Sequence, residues 1–209
     1  MSSTDLKRKP APPPTEARAA ILGAALEILR SEGHGSLTVR HVAQRAGCST
    51  IGVYTWFGGK DGLVDALLIE GFESFDRALQ KAKRTRSPGS GLVGQARAYR
   101  EWALANATSY RVMFMQAVPG HEPSPEAAAA GLATFERLRA EVRREQLAGT
   151  IAEPDAEAVA LMVWGLVHGL VSIEISQKHS PLEGGAELHK RAYELSLQVA
   201  VAGFLSRAK

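Results

Sequence analysis

The chain has 209 residues, 45% hydrophobic and 22% charged, enough for one domain or two small ones with packed cores and too apolar for a disordered chain. Its lone cysteine, Cys48, excludes an internal disulfide and a cysteine-cluster metal site. The net charge of +3 is uneven. Residues 1–90 hold 13 Lys and Arg against 9 Asp and Glu, a net of +4, and residues 91–209 hold 12 against 13, a net of −1; a basic N-terminal part suits a polyanionic partner.

Residues 1–14 read as a flexible arm. Lys7, Arg8 and Lys9 precede a proline-rich run that cannot be helical. The arm is either a solvated tail or a contact to a nucleic-acid backbone. It lacks the apolar core of a signal peptide, so a cytoplasmic protein is expected.

Helical spacing begins after Thr15 with Ile21, Ala24, Leu26, Ile28 and Leu29, and Gly33-His34-Gly35 stops it. Thr38 is the N-cap of a short helix, about Thr38 to Ala46, closed by Gly47. Ser49 caps a second short helix, Thr50 to Phe57. After Gly58-Gly59 a long helix is predicted from Lys60 to Lys83, with Leu63, Val64, Leu67, Leu68, Phe72, Phe75 and Leu79 inward. Thr85 to Gly91 is a loop by composition. Further helices are predicted at about 92–106, 108–117, 124–147, 155–178 and 184–207, punctuated by Pro119, Pro123, Pro125, Pro154 and Pro181. The longest apolar run, near Val159–Val171, is interrupted by His168 and falls short of the ~18 residues of a membrane helix. No alternating strand pattern occurs, and the fold class is all-α.

Two short helices around a tight glycine turn form a helix-turn-helix. The first braces the second, which must offer small or polar residues to base edges in the major groove. Thr50, Ile51, Thr55 and Trp56 suit that face, with Val53 and Phe57 as inward anchors.

The run Leu37-Thr38-Val39-Arg40-His41-Val42-Ala43-Gln44-Arg45-Ala46-Gly47-Cys48-Ser49, then Gly52-Val53-Tyr54-Thr55-Trp56-Phe57, Lys60 and Leu63, resembles the DNA-binding domain of the TetR family. The resemblance implies a transcriptional regulator, usually a repressor, that binds a palindromic operator as a homodimer. It also implies a helical C-terminal domain that takes a small-molecule effector. By motif position it implies phosphate contacts from Tyr54 and Lys60. Thr38 and Ser49 sit where hydroxyls reach the backbone, and Arg40, Thr50, Thr55 and Trp56 at bases or the groove wall. Gly52 departs from the Thr or Ser of many members, and Ile51 from their polar or small residue. Cys48 takes a position that is commonly Val or Ala, so a structural thiol competes with a redox sensor at a helix N-terminus.

Trp164-Gly165-Leu166-Val167-His168-Gly169-Leu170 and Tyr110-Arg111-Val112-Met113-Phe114 resemble the Trp-His-Gly subtype of TetR C-terminal domains. Trp164 and His168 share a helix face. His168 is either a hydrogen-bonded core histidine or a polar group orienting an effector. Trp102, Tyr110, Met113, Phe114, Phe135, Trp164 and His168 are the candidate pocket, with ordinary core as the competing reading. The apolar excess of the last two helices (Leu161, Leu166, Leu170, Leu195, Leu197, Val199 and Phe204) points to a dimeric four-helix bundle. No catalytic constellation, metal site or cofactor motif is present, and no membrane partner is expected. The expected domains are the arm 1–14, a three-helix helix-turn-helix domain 15–62, and a helical effector and dimerisation domain 63–209 entered through the long fourth helix.

Overall fold

The computed structural model describes residues 14–153, 155–176 and 185–206. The basic arm with Lys7, Arg8 and Lys9, and the predicted breaks at Pro154 and Pro181, lie outside the described residues. Among the described residues there are nine α-helices and no strand, so the all-α expectation holds. The helices are α1 (Pro14–Ser31), α2 (Val39–Ala46), α3 (Thr50–Phe57), α4 (Lys60–Gln80), α5 (Ser90–Ala105), α6 (Ala107–Phe114), α7 (Pro125–Leu147), α8 (Ala156–Ser176) and α9 (Gly185–Ser206).

The described residues divide into two compact units, one of residues 14–67 with 117–121, the other of residues 68–116 with the described residues from 122 onward. The division falls inside α4, between Leu67 and Leu68. The loop Ala117–His121 belongs with the N-terminal unit.

In the N-terminal unit, local signals start and stop each helix. The Thr38 hydroxyl accepts the His41 N–H at 3.2 Å, and Gly47 ends α2 at φ 67°, a conformation that costs glycine little. The Ser49 hydroxyl accepts the Gly52 N–H at 3.1 Å. Ile21, Ala25 and Ile28 of α1, Leu37, Val42 and Ala43, Val53 and Phe57, and Leu63 and Val64 of α4 form one buried core. Arg45 of α2 pairs with Glu32 just beyond α1 at 2.6 Å. A short 3₁₀ turn over His34–Ser36 replaces the simple helix stop expected there. Nε2 of His121 lies 2.9 Å from an Asp65 carboxylate oxygen, tying the loop to α4. The residue before this loop, Gln116, takes the left-handed φ of 48°.

The C-terminal unit is a helical bundle around Phe75, Tyr99, Trp102, Tyr110, Val142, Val163, Val167, Val171, Tyr193 and Leu197. Arg100 of α5 meets Glu174 of α8 at 2.6 Å, both nearly buried, and the Tyr193 hydroxyl of α9 donates to the Ala96 carbonyl at 2.5 Å. On α7 two carboxylates are buried. Glu141 pairs with Arg84 and Arg144, and Glu145 accepts the Gly89 N–H at 3.0 Å. α4 ends at Gln80, three residues before the expected Lys83. A Cβ on Gly94 would lie 2.2 Å from the Lys83 carbonyl, so the chain after α4 has turned against α5.

One expectation needs correction. α8 is 21 residues long, with a mean hydropathy of 1.9 over its most apolar window, and is long and apolar enough to cross a membrane. The interruption at His168 is too mild to remove that property. Its polar groups are nevertheless matched inside the bundle, Glu174 by Arg100 and His168 by two tyrosines.

Candidate functional site

Two places combine a distinctive surface or space with polar chemistry, one in each unit. In the N-terminal unit, α3 buries only Val53 and Phe57. Thr50, Ile51, Tyr54, Thr55 and Trp56 are all exposed, Ile51 to 75% and Tyr54 to 56%. Thr38, Arg40, Ser49 and Lys60 are exposed as well. The Thr38 and Ser49 hydroxyls accept cap hydrogen bonds and keep their own O–H free to donate outward. The Thr55 hydroxyl is turned back to the Ile51 carbonyl at 2.8 Å. Apolar anchors therefore hold α3 on one side only, and the other presents an uninterrupted mixed surface to solvent.

Gly52 lies half-buried in this helix. A Cβ there would meet the Ser49 hydroxyl oxygen at 3.7 Å and the Cys48 sulfur at 3.9 Å, ordinary contacts. Nothing within the unit requires a glycine, although glycine in a helix interior costs about 1 kcal/mol relative to alanine. Cys48 is half-buried, and burial pushes its thiol up, opposite to the shift of an activated thiolate.

In the C-terminal unit a cavity of about 500 Å³ is walled by α4, α5, α6, α7 and α8. Phe72, Phe75 and Leu79 of α4, Leu92, Gln95, Ala96 and Tyr99 of α5, Phe114 of α6, Gly131, Thr134, Phe135 and Leu138 of α7, and Glu157, Leu161, Val163, Trp164 and Val167 of α8 line it. Of the seven residues predicted for a pocket, Phe114, Phe135 and Trp164 reach this wall. Trp102, Tyr110, Met113 and His168 stand outside it. Trp102 is buried, its indole N–H donating to the Ser74 hydroxyl at 3.1 Å. The Met113 sulfur packs against Gly71, 2.8 Å from where a Cβ would begin.

Tyr110 and His168 form a polar cluster behind the cavity. Nδ1 of His168 lies 2.8 Å from the Tyr110 hydroxyl and 3.1 Å from the Tyr99 hydroxyl. Tyr110 also meets the Ser172 hydroxyl at 3.1 Å. Burial pushes both phenols up and the imidazole down, so all three rings are held neutral. Trp164 lies over His168 with ring centroids 5.2 Å apart and meets Phe135 edge-on at 6.4 Å. Sequence reasoning missed Phe72, Phe75, Leu79, Leu92, Gln95, Tyr99, Thr134 and Leu138. Most of them carry helical spacing indistinguishable from plain core.

A third feature is an apolar outer face. Met162 and Ile173 of α8 and Leu195 and Val199 of α9 are exposed large side chains. Met162, Leu195 and Val199 line a groove that includes Leu166, Gly203 and Phe204, and around Gly165 and Gly169 of α8 an added Cβ would meet nothing within 4 Å. Among the described residues no group of His, Cys, Asp and Glu could hold a metal ion.

Residues 21–67 match the family described as bacterial regulatory proteins, tetR family, and residues 92–198 match the tetracyclin repressor-like C-terminal domain. The HTH-type transcriptional regulator Rv1816 of Mycobacterium tuberculosis (strain H37Rv) is 24% identical over 198 residues, covering 81% of this chain and 84% of that one. The crystal structure of the putative regulatory protein SCO4313 superimposes with a TM-score of 0.75 at 24% identity, covering 92% of this chain and all of the other. The TetR-family regulator PfmR of Thermus thermophilus gives a TM-score of 0.66 at 22% identity over 85% of this chain and 97% of its own.

Proposed function

As a member of the TetR family of bacterial regulatory proteins, the chain is a helix-turn-helix DNA-binding regulator of transcription, and we propose that it is a cytoplasmic repressor that holds a palindromic operator as a homodimer and is released by a small-molecule effector. The observation that carries the first half is α3, anchored through Val53 and Phe57 and bare on its other side. Tyr54, Lys60, Thr38 and Ser49 serve the phosphates; Arg40, Thr50, Ile51, Thr55 and Trp56 serve bases and groove wall. Gly52 lets the backbone of α3 lie close to the groove, the one role that explains a helical glycine with no internal need for it.

A second copy of the chain is the occupant proposed for the outer face of α8 and α9. Its exposed Met162, Leu195 and Val199 line one apolar groove, the kind of patch that marks an interface. Two-fold symmetry then sets two α3 helices on one face of DNA, about 34 Å apart or a multiple of that.

The cavity supports the effector half of the reading. A purely architectural DNA-binding dimer needs no such space, whereas about 500 Å³ falls within the range of small-molecule sites. Phe72, Phe75 and Leu79 wall it from α4, the helix whose first turn follows α3 through Gly58 and Gly59. A ligand that favours one placement of α4 shifts the DNA-competent population by its differential affinity. A coupling of about 1–3 kcal/mol corresponds to roughly 5–150-fold weaker operator binding. The test selects bound DNA from a random pool, screens compounds for release, and repeats the release assay with Trp164→Ala. Selection of one palindrome, release by a compound, and a blunted response with ligand-free affinity unchanged would support the reading. Loss of DNA binding by the variant would make Trp164 structural core, and an undiminished response would place the ligand elsewhere.

A further inference from the structure

We infer that the cavity selects its ligand by charge: it accepts an uncharged aromatic compound with one polar group directed at Gln95, and it refuses carboxylates and other anions. This rests on the cavity being the effector site and adds the chemical class of the effector. Six of the seventeen lining residues, Phe72, Phe75, Tyr99, Phe114, Phe135 and Trp164, are aromatic. Among the residues that line it there is no Lys, Arg or His; the one charged residue is Glu157, exposed at 71% and 3.6 Å from Arg139. An anion entering the cavity would lose its hydration and find no counter-charge, the costliest form of burial. The same carboxylate at the rim would repel it on the way in.

The remaining polar atoms narrow the class further. The Tyr99 hydroxyl is held by Tyr110 at 3.2 Å and His168 at 3.1 Å, and the Trp164 ring lies against the His168 ring. The Thr134 hydroxyl donates to the Gly131 carbonyl at 2.7 Å. That leaves the Trp164 indole N–H, a donor only, and the side-chain amide of Gln95, which offers both donors and an acceptor to a ketone, amide or hydroxyl. Arg139, beside the rim, is already engaged by Glu157 and Glu136, and Arg84, Arg137 and Arg144 line a separate polar chamber that shares only Leu79 and Gln95 with the cavity. There Arg84 and Arg144 are paired with Glu141, and Arg137 with Asp76. An anionic head group reaching that chamber would have to displace carboxylates already in place, one of them buried. The volume fits on the order of two or three fused rings, which stack or meet edge-on with the phenyl groups and the indole.

Titration calorimetry on the intact protein at neutral pH tests this with three probes of one shape: 2-naphthol, 2-naphthoate and 2-naphthylmethylammonium. The naphthol is expected to bind, and both ions to bind about thirtyfold more weakly or less. Gln95→Leu should weaken the naphthol about five- to tenfold and leave unsubstituted naphthalene unaffected. Leu138→Trp, which fills the cavity, should abolish binding of both while the melting transition shows a folded protein. Naphthoate within threefold of naphthol, or an ammonium that binds more tightly, would overturn the charge selection and leave the effector reading standing. Failure of every probe to bind at millimolar concentration would overturn both, as would undiminished binding to a folded Leu138→Trp protein.

Discussion

A Cβ on Gly62 would lie 1.9 Å from the carbonyl oxygen of Phe57. The end of α3 and the first turn of α4 approach each other across a position with no room for any side chain, and the neighbour is backbone that cannot rotate away.

Gly62→Ala should therefore destabilise the N-terminal unit by about 3 kcal/mol, the upper part of the range for overpacking. Gly23→Ala is its control. Gly23 is exposed in α1 with nothing within 4 Å of a new Cβ, and the same chemical change there should stabilise by up to about 1 kcal/mol. Urea unfolding of the two variants decides it. Equal midpoints would mean that the α3–α4 joint is loose.

At Gly52 stability and function should part. Gly52→Ala is expected to raise the unfolding free energy by about 0.5–1 kcal/mol while weakening specific operator binding at least tenfold. Lys60→Ala, by contrast, should weaken specific and random DNA alike and lower the slope of log affinity against log salt by about 1. If Gly52→Ala binds the operator normally, close approach of the α3 backbone is wrong.

A charge on the outer face should separate the subunits without unfolding them. Leu195 and Val199 are exposed to 61% and 64%, so Leu195→Glu with Val199→Glu costs little in the single chain. In the dimer it buries two unpaired carboxylates per subunit. Sedimentation should show monomers at micromolar concentration and operator binding should fall steeply. A dimer that persists would place the interface on another surface.

His168 predicts a pH dependence of stability. Burial holds its folded pKa below the ordinary value. Below about pH 6.5 the unfolded chain takes up a proton that the folded chain resists, and stability present above that pH is lost as pH falls. Burial pushes the Glu141 carboxyl up, and that group works in the opposite direction at lower pH. The melting temperature should drop between about pH 7.5 and 5.5, and His168→Gln should flatten that drop. An unchanged slope in the variant would mean that His168 is hydrated in the folded state.

The helices were legible in the sequence because their signals are local. Thr38, Gly47, Ser49 and Gly58 sit within a few residues of the ends they fix. The start of α5 is different. Gly89 precedes it with φ 73°, and its N–H is satisfied by Glu145, 56 positions away; no local pattern announces such a partner. The cavity was half legible for a related reason. Periodicity marks Phe72, Phe75 and Leu79 as inward, but not whether the inward face meets a neighbour or a space. Tyr110 and His168 were each legible as candidate pocket residues, His168 as a polar group in an apolar bundle. That they bond to each other, with Tyr99 between them and the cavity, depends on three helices meeting at one point.

The loop Ala117–His121 bears on how such regulators can be recombined. It is encoded amid the helices of the C-terminal unit yet belongs to the N-terminal unit, where His121 meets Asp65. A hybrid gene that joins residues 1–67 to a foreign sensor by a single crossover would carry Asp65 without this imidazole. The two units are therefore not encoded as two separate stretches of sequence. A working chimera of this protein needs a second exchange that brings the five-residue insert along with the head it serves.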